Sequence, residues 1–445
     1  MRNYLFTAFI FVISGCGGTG GRADISEDIP AEIRGVHEEH IREAEAAGVN
    51  PISDPIDVAT GIDILVRNNF DILKGYRVGI ITNHTGMTKS GIHIVDTIRE
   101  AEDVELAAIF GPEHGVRGIE PDGKAVDSAV DPVSGVTIYS LYGKTRRPTE
   151  DMINSLDLLV FDIQDVGARF YTYIYTMALA MEVAALNDKK FVVLDRPNPI
   201  TGSIVEGPML VEGFESFVGK YKLPVRHGMT VGELALMYKG EGWIDGADKL
   251  DLEIVRMEGW RRELWFDQTN ILWISPSPSM RTLSTATLYP GTCLIEGTNL
   301  SEGRGTDLPF EKIGAPWVDG KLLADEMNKL HLEGVVFEAI EFTPEAILPS
   351  VPNPKYKDER SSGIRIRVIR RDLLNPVKTG ISLVYTLQRL FPENFEWSGT
   401  IDRLYGSDKL RNSVDNQIPL ENIIENYSGG VDEFLELRMK YLIYE

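Results

Sequence analysis

Residues 104–118 read VELAAIFGPEHGVRG, an apolar run followed at once by glycines, a proline and charged side chains. The run from Val104 to Phe110 predicts a buried strand, and Gly111 with Pro112 ends it. Open α/β sheets place their chemistry in loops at the carboxyl ends of such strands. Glu113 is therefore a candidate catalytic acid, although the same loop is also compatible with a solvated surface turn.

Units of this kind recur along the first half of the chain. Apolar or β-rich runs at 77–82, 136–141, 156–163 and 191–194 predict further strands, and the spacing at 92–98 and 173–186 predicts helices between them. This alternation predicts an α/β fold with a Rossmann-like parallel sheet covered on both faces. No glycine fingerprint follows the first strand and no phosphate loop occurs, so the sequence predicts no nucleotide cofactor.

Polar side chains follow the end of each of four predicted strands. Because the carboxyl ends of parallel strands share one edge of a sheet, these side chains are expected to converge on one cleft. Any single loop could be a structural turn, but four together favour a site. The residues are Asn83 and His84; Glu113, His114 and Arg117; Asp162, Gln164, Asp165 and Arg169; and Asp195, Arg196 and Asn198.

The second half of the chain adds further candidates. Thr230 and Glu233 form a capping box that predicts a helix over 231–238, which places Arg226 and His227 before an anion-attracting helix start. His227 could instead be a satisfied loop histidine. A proline-rich link at 275–279 marks the predicted domain junction. Helical and strand patterns from 322 to 444 predict a smaller α+β domain.

The glycine-rich stretch EGTNLSEGRGTD, residues 296–307, can bring its backbone close to a ligand. It supplies Arg304 as a charged donor, and Glu296, Glu302 and Asp307 as possible second carboxylates. There is no HExxH, CxxC pair or histidine cluster, so no metal site is predicted. The absence of a GxSxG elbow likewise disfavours a serine hydrolase.

Carboxylates accompanied by Arg, Asn, His and Tyr suit glycoside hydrolysis. One carboxyl protonates the leaving oxygen, and a second anionic group supports the oxocarbenium-like centre. We expect Glu113 to be the acid/base and Glu302 or Asp162 to be the second carboxylate. Arginines would bind an anionic substituent of the substrate. Retaining, inverting and substrate-assisted routes all remain open at this point.

The N-terminal residues predict export and anchoring. An apolar run at 4–13 is too short to span a bilayer and ends in Ile-Ser-Gly-Cys, which resembles a lipobox. Cleavage would remove residues 1–15 and leave an acylated Cys16, so the chain is expected to be a membrane-anchored lipoprotein. Gly17 favours the outer membrane, facing the periplasm, if the host has two membranes. An ordinary secretory signal with an incidental cysteine is the alternative.

Composition limits the partners. Apolar residues at 43% and charged residues at 25% are typical of a globular protein. A net charge of −22 argues against nucleic acid as a partner. Cys293 is the only cysteine besides Cys16, and its apolar neighbours predict a buried hydrophobe and not a nucleophile.

Several motifs resemble the NamZ-type exo-β-N-acetylmuramidase family from about residue 60 to the C-terminus. They are GIITNHTG (79–86), FGPEHGVRG (110–118), VFDIQDVGARFYTY (160–173), LDRPNPI (194–200), VEGP (205–208), RHGMTVGELA (226–235), SPSM (277–280) and EGTNLSEGRGT (296–306). The resemblance implies a Rossmann-like N-terminal domain, a smaller C-terminal domain and an active-site cleft between them. It also implies removal of β-1,4-linked N-acetylmuramic acid from non-reducing ends of peptidoglycan fragments, with Glu113 as the catalytic residue.

The sequence predicts four parts of the chain and a set of substrate-binding residues. The predicted parts are a signal peptide at 1–15, a tether at 16–57, a catalytic domain at 58–280 and an α+β domain at 281–445. A non-catalytic lipoprotein that binds muropeptides is the main alternative, and a nucleotide-using enzyme is disfavoured by the missing phosphate loop. The predicted substrate-binding residues are Asn83, His114, Arg117, Gln164, Arg169, Tyr171, Arg196, Asn198, Glu206, Arg226, His227, Asn299 and Arg304.

Overall fold

A central sheet of seven strands organises the first part of the protein. The structure, a computed structural model, describes residues 55–113, 115–116, 129–131, 134–143 and 145–445. The strand order is β3-β4-β2-β1-β5-β6-β9, and all neighbours are parallel except β3 with β4. The strands are β1 (Arg77–Thr82), β2 (Glu105–Gly111), β3 (Ala129–Val130), β4 (Thr137–Ser140), β5 (Leu158–Asp162), β6 (Lys190–Leu194) and β9 (Leu252–Val255).

The strand order reverses around β1. The chain runs outward from β1 to β2 and β4, then returns to place β5 on the other side of β1. Thr82 at the end of β1 pairs in register with Asp162 at the end of β5. Crevices at such a reversal, beyond the carboxyl ends of the strands, are where open α/β sheets bind ligands. The predicted Rossmann-like parallel sheet is confirmed.

Helices cover both faces of the sheet. They are α1 (Gly61–Arg67), α2 (Ile94–Arg99), α3 (Glu150–Ile153), α4 (Tyr173–Leu186) and α5 (Val231–Gly240). Alternate residues of one strand enter different cores: Ile80 packs with α1 and α2, whereas Ile81 packs with α4. The predicted helix at 173–186 and the capping box of Thr230 with Glu233 are both present.

The second part of the chain forms an α+β unit. Its antiparallel sheet has the order β10-β12-β11. A separate two-stranded ribbon, formed by β7 and β8, belongs to the first part of the chain. The strands are β7 (Glu206–Met209), β8 (Pro224–Arg226), β10 (Lys312–Ala315), β11 (Val335–Phe342) and β12 (Ser361–Val368). The helices are α6 (Leu283–Thr292), α7 (Gly320–Lys329), α8 (Pro376–Leu390), α9 (Ile401–Tyr405), α10 (Lys409–Asp415), α11 (Leu420–Asn426) and α12 (Val431–Arg438).

The two parts share one apolar core. The α4 face of the large sheet belongs to the same buried cluster as α8 and the small sheet. The C-terminal segment then returns to the first domain: Arg438 donates to the carbonyls of Gly202 and Gly228, and the Tyr444 hydroxyl donates to Asp195. The last helix, Val431–Arg438, is thus followed by a short C-terminal segment that docks on the first domain.

Three other expectations concern the chain ends and Cys293. Cys293 is a free, buried cysteine, as predicted. Cys16, the signal peptide and most of the predicted tether lie outside the described residues, and the predicted domain limits stay a prediction. Within the described part of the chain, no helix combines the length and apolar character needed to cross a bilayer.

Candidate active site

A cavity of about 130 Å³ lies where the loops of the large sheet meet the second domain. Glu113 comes from the loop after β2, and Tyr171 from the loop after β5. The opposite wall comes from the 275–280 link and from residues after α6, including Glu296 and Arg304. A carboxylate, a hydroxyl and an ion pair thus surround one concave space, as is typical of a small-molecule site.

Glu113 is held by a turn and by a helix start. The carbonyl of Pro112 accepts from the Gly115 backbone, which closes the turn after β2. Gly115 has a φ of 71°, a left-handed conformation that favours glycine. The Thr172 hydroxyl, at the start of α4, donates to Oε2 of Glu113 at 3.1 Å. One carboxylate oxygen is therefore oriented by a residue from a different strand-end loop.

The opposite wall carries an ion-pair network. Nη1 of Arg304 lies 2.7 Å from Oε1 of Glu296 and 3.2 Å from Oε1 of Glu302. Lys355 lies 3.1 Å from Oε2 of Glu302. Burial raises the pKa of Glu296, although the positive charge of Arg304 acts in the opposite direction. Burial acts in the same direction on Glu302, but Arg304 and Lys355 together outweigh it, so the pKa of Glu302 is lowered.

The predicted carboxylate Asp162 lies behind the cavity and not in its wall. Its side chain is fully buried and accepts from Nε and Nη2 of Arg196 at 2.5 and 2.9 Å. Arg196 also donates to the carbonyl of Met87. This bidentate pair joins the ends of β5 and β6. The structure thus gives both residues a positioning role, and a direct catalytic or substrate contact by them stays a prediction.

Four predicted amide residues also hold loops together. Asn83 accepts from the backbone and hydroxyl of Thr85, and the Thr85 hydroxyl accepts from the Gln164 backbone. Gln164 donates to the carbonyls of Asp165 and Pro197. In the same manner Asn198 bonds to Met229 and Ile200, and Asn299 bonds to Asn394 and Glu396. These amides set the shape of the strand-end loops.

Arg169 joins the two domains. Its guanidinium is fully buried and donates to the carbonyls of Pro208 and Leu223 in the first domain. It also donates to Leu404 and Tyr405 in the second, at 3.0 and 2.9 Å. Burial lowers the pKa of Arg169 to about 10. Because its terminal nitrogens are used by carbonyls, the structure assigns it to the domain interface and not to the cavity wall.

Arg226 and Glu206, two of the predicted substrate-binding residues, form an ion pair with each other, and a substrate contact by either stays a prediction. Arg226 Nη1 lies 3.2 Å from Oε2 of Glu206, and its Nη2 donates to the carbonyl of Ile200. The guanidinium also stacks over Trp265. The pair crosses the β7–β8 ribbon, where Glu206 and Arg226 are register partners. Neither residue lines the cavity.

His227 and Asp165 form a buried polar pair behind the site. The Met229 backbone donates to Nδ1 of His227, so the ring proton lies on Nε2, 3.9 Å from Oδ2 of Asp165. Burial lowers the pKa of His227 to about 3 and raises that of Asp165 to about 7. Among the described residues, none donates to Oδ1 of Asp165. The histidine is therefore neutral and does not neutralise the carboxylate.

Only some of the site residues predicted from the sequence lie in the described part of the cavity wall. Among the predicted catalytic and binding residues that the structure describes, Glu113, Tyr171 and Arg304 line it, and so does Glu296, one of the possible second carboxylates. His114 and Arg117 lie outside the described residues. Four residues that were not predicted from the sequence also line the cavity: Thr172, Ser277, Ser279 and Tyr289. Thr172 lies within the quoted motif FYTY, and Ser277 and Ser279 lie within SPSM, whereas no quoted motif contains Tyr289.

Comparison with known proteins agrees with this architecture. The model of the family described as exo-beta-N-acetylmuramidase NamZ, N-terminal, matches residues 78–284, and the corresponding C-terminal model matches residues 287–444. The chain belongs to the NamZ exo-β-N-acetylmuramidase family. The family resemblance predicted from the motifs is thereby confirmed, as is the combination of a parallel-sheet domain with a smaller α+β domain.

Relatives of the NamZ family cover most of the chain. A peptidoglycan beta-N-acetylmuramidase NamZ of Bacillus subtilis (strain 168) is 47% identical over 389 residues, which is 87% of this chain and 91% of that protein. Two crystal structures of DUF1343 family proteins from Bacteroides fragilis NCTC 9343 have TM-scores of 0.80 and 0.72. Their sequences are 37% and 33% identical to this one. The matched regions cover 88% and 87% of this chain, and 100% and 99% of the two B. fragilis chains.

Proposed function

We propose that this chain is an exo-acting glycoside hydrolase that releases β-1,4-linked N-acetylmuramic acid from the non-reducing ends of peptidoglycan fragments. The observation that carries the proposal is the position of Glu113 in the cavity wall, facing the ion pair of Glu296 and Arg304. Membership of the NamZ family and the 47% identical β-N-acetylmuramidase supply the substrate class.

Glu113 is the proposed general acid. Its carboxyl donates a proton to the glycosidic oxygen as the bond from that oxygen to C1 breaks. Water supplies the hydroxyl that C1 gains, and its remaining proton returns Glu113 to the acid form, directly or through solvent. Thr172 holds one oxygen of the carboxyl and so orients the other toward the substrate.

Arg304 is the proposed contact for the lactyl carboxylate of muramic acid. It is the arginine in the described part of the cavity wall, and its side chain retains about a fifth of its surface accessible. A guanidinium recognises carboxylates through paired hydrogen bonds. Its ion pair with Glu296 keeps the group in place before substrate arrives. Tyr171 and Tyr289 supply apolar ring surface to the same cavity wall.

Turnover of a chromogenic β-muramide by the purified full-length chain tests this proposal. We expect free N-acetylmuramic acid from the non-reducing end, and we expect Glu113→Gln to abolish release from a natural disaccharide. A muropeptide-binding lipoprotein is the rival. Saturable binding of the disaccharide without any product, in the wild-type protein, would establish that rival and remove the enzyme assignment.

We further propose that the protein acts in cell-wall recycling as an exported lipoprotein anchored through Cys16. The support is the apolar segment that ends in Ile-Ser-Gly-Cys at 13–16. Several acyl chains on one cysteine would give durable anchoring. An outer-membrane location facing the periplasm fits Gly17 if the host has two membranes. Such an anchor would place the active domain beside its polymeric substrate.

A further inference from the structure

Glu296 lines the same cavity as Glu113 and comes from the opposite domain. We propose that Glu296 is the second catalytic carboxylate, which faces the anomeric carbon of the muramic acid while Glu113 protonates the leaving oxygen. The inference rests on the proposed function and adds to it a residue role. Carboxyl groups from two walls of one cavity are the arrangement that glycoside hydrolysis requires.

Accessibility separates Glu296 from the other carboxylates considered for this role. The Glu296 side chain keeps 29% of its surface accessible, compared with 5% for Glu302 and 0% for Asp162. Glu302 is held between Arg304 and Lys355, and Asp162 is a bidentate partner of Arg196. Glu296 is therefore the carboxylate of the three that can contact a ligand in the cavity.

The backbone of Glu296 is fixed on both sides, as a catalytic group requires. It lies in the 3₁₀ helix Cys293–Gly297, and its carbonyl accepts from the hydroxyls of Ser398 and Thr400 at 3.0 and 3.3 Å. The next residue, Gly297, packs so closely on α9 that an added Cβ would lie 2.7 Å from Cα of Ile401. A side chain on such a rigid support stays close to its productive geometry.

The proposed role of the Glu296 carboxylate is to stabilise the positive charge that develops in the transition state. As the C1–O bond breaks, positive charge develops on C1 and the ring oxygen, and a carboxylate placed beside it stabilises the transition state. The Glu296 carboxylate exchanges no proton in this step. The proton on the leaving oxygen comes from Glu113, and the hydroxyl on C1 comes from water.

Two substrates separate the roles of the two glutamates. A 4-nitrophenyl β-muramide has a leaving group that needs little protonation, whereas a muramic acid–glucosamine disaccharide has one that needs full protonation. We expect Glu113→Gln to lose far more activity on the disaccharide than on the aryl muramide. We expect Glu296→Gln to lose kcat by about 10²- to 10³-fold on both substrates, since charge stabilisation does not depend on the leaving group.

Glu338→Gln is the matched control. Glu338 also lies 2.7 Å from an arginine nitrogen, that of Arg367, but it sits on β11 outside the cavity. Its variant should match wild-type kcat, and Glu302→Gln should lose clearly less kcat than Glu296→Gln. Should Glu296→Gln fail to fold, Glu296→Asp keeps the charge one methylene further away and should still lose kcat at least tenfold.

Two outcomes count against the inference. A Glu296→Gln protein within tenfold of wild-type kcat on both substrates overturns it while leaving the proposed function intact. A loss confined to the disaccharide would make Glu296 a proton donor and also overturns the role stated here. If wild-type protein hydrolyses neither substrate, the proposed function fails first, and this inference fails with it.

Discussion

The Thr172 hydroxyl donates to Oε2 of Glu113 at 3.1 Å, which links the loop after β2 to the first turn of α4. The hydrogen bond fixes the carboxyl of the proposed general acid. Misplacing a reacting group by about 1 Å can cost about 10²-fold in rate. We therefore expect Thr172→Val to reduce kcat on a muramic acid disaccharide by at least tenfold with little change in KM.

The matched control is Thr172→Ser, which keeps the hydroxyl and should retain most of the activity. Steady-state kinetics with the full-length protein provide the measurement. Equal kcat values for the valine and serine variants would show that this hydrogen bond does not position Glu113.

A variant of Arg169 can show whether this residue acts at the domain interface or binds substrate. Its four hydrogen bonds go to carbonyls of both domains. We expect Arg169→Met to lower the free energy of unfolding by about 3–5 kcal/mol, because buried acceptors lose their partners. Denaturant unfolding measures this loss. Unchanged stability with a raised KM for substrate would instead support the substrate contact predicted from the sequence.

Asp165 should make stability depend on pH. Its pKa rises from 3.8 to about 7 on folding, so between these values the folded state binds a proton that the unfolded state has released. The contribution of Asp165 to the free energy of unfolding therefore falls as pH rises from about 4 to about 7, by at most about 1.4 kcal/mol per pH unit. Above that range the contribution no longer changes with pH. Asp195, whose pKa burial raises to about 6, acts in the same direction.

The variant Asp165→Asn removes the first of these two contributions. We expect its unfolding midpoint to exceed that of the wild type at pH 8 and the slope between pH 4 and 7 to become shallower. Asp325→Asn, an exposed partner of Lys321, is the control and should leave the slope unchanged. Identical slopes for the wild type and Asp165→Asn would contradict the assignment.

Arg304 should determine selectivity for the lactyl carboxylate. We expect the wild type to prefer a β-muramide over its lactyl methyl ester, and Arg304→Gln to reduce that preference by about tenfold or more, since a charged hydrogen bond is lost. The ratio of kcat/KM values for acid and ester is the measurement. Taking this ratio removes any loss of activity that affects both substrates equally, such as one caused by disturbing Glu296 and Glu302. A preserved ratio in the variant would place the carboxylate contact elsewhere.

Cys16 should determine membrane attachment. We expect Cys16→Ser to move the protein from the membrane fraction to the soluble exported fraction and to abolish incorporation of a labelled fatty acid. Activity of the purified protein on a soluble disaccharide should not change, because the anchor precedes the family match that begins at residue 78. Continued labelling of the serine variant would point to another site of acylation.

Much of the fold followed from local pattern. The apolar run at 104–110 became β2, and the alanine-rich stretch at 173–186 became α4 with the same limits. The patterns worked because a strand buried on both faces and a helix buried on most sides are apolar throughout. The ribbon of β7 and β8 was not predicted, since its strands are short and are defined by their pairing with each other.

The site was predicted only in part. Convergence of the strand-end loops on one edge follows from parallel topology, and the loops after β2 and β5 both supply residues of the cavity wall, Glu113 and Tyr171. The partner of each charged group did not follow from sequence. Asp162 and Arg196, or Glu206 and Arg226, look like ligand contacts when read singly, yet each pair is mutually satisfied inside the protein.

The amino-acid sequence by itself determined the parallel sheet, the family and the choice of Glu113, because periodicity and compact motifs depend on residues close in the chain. The tertiary structure decided which polar groups face the cavity. Arg169 bonds to Leu404, 235 positions away, and Glu296 reaches the wall opposite Glu113 only because the second domain packs on the first. Burial requires every charge to find a partner, and only folding decides whether that partner is protein or substrate.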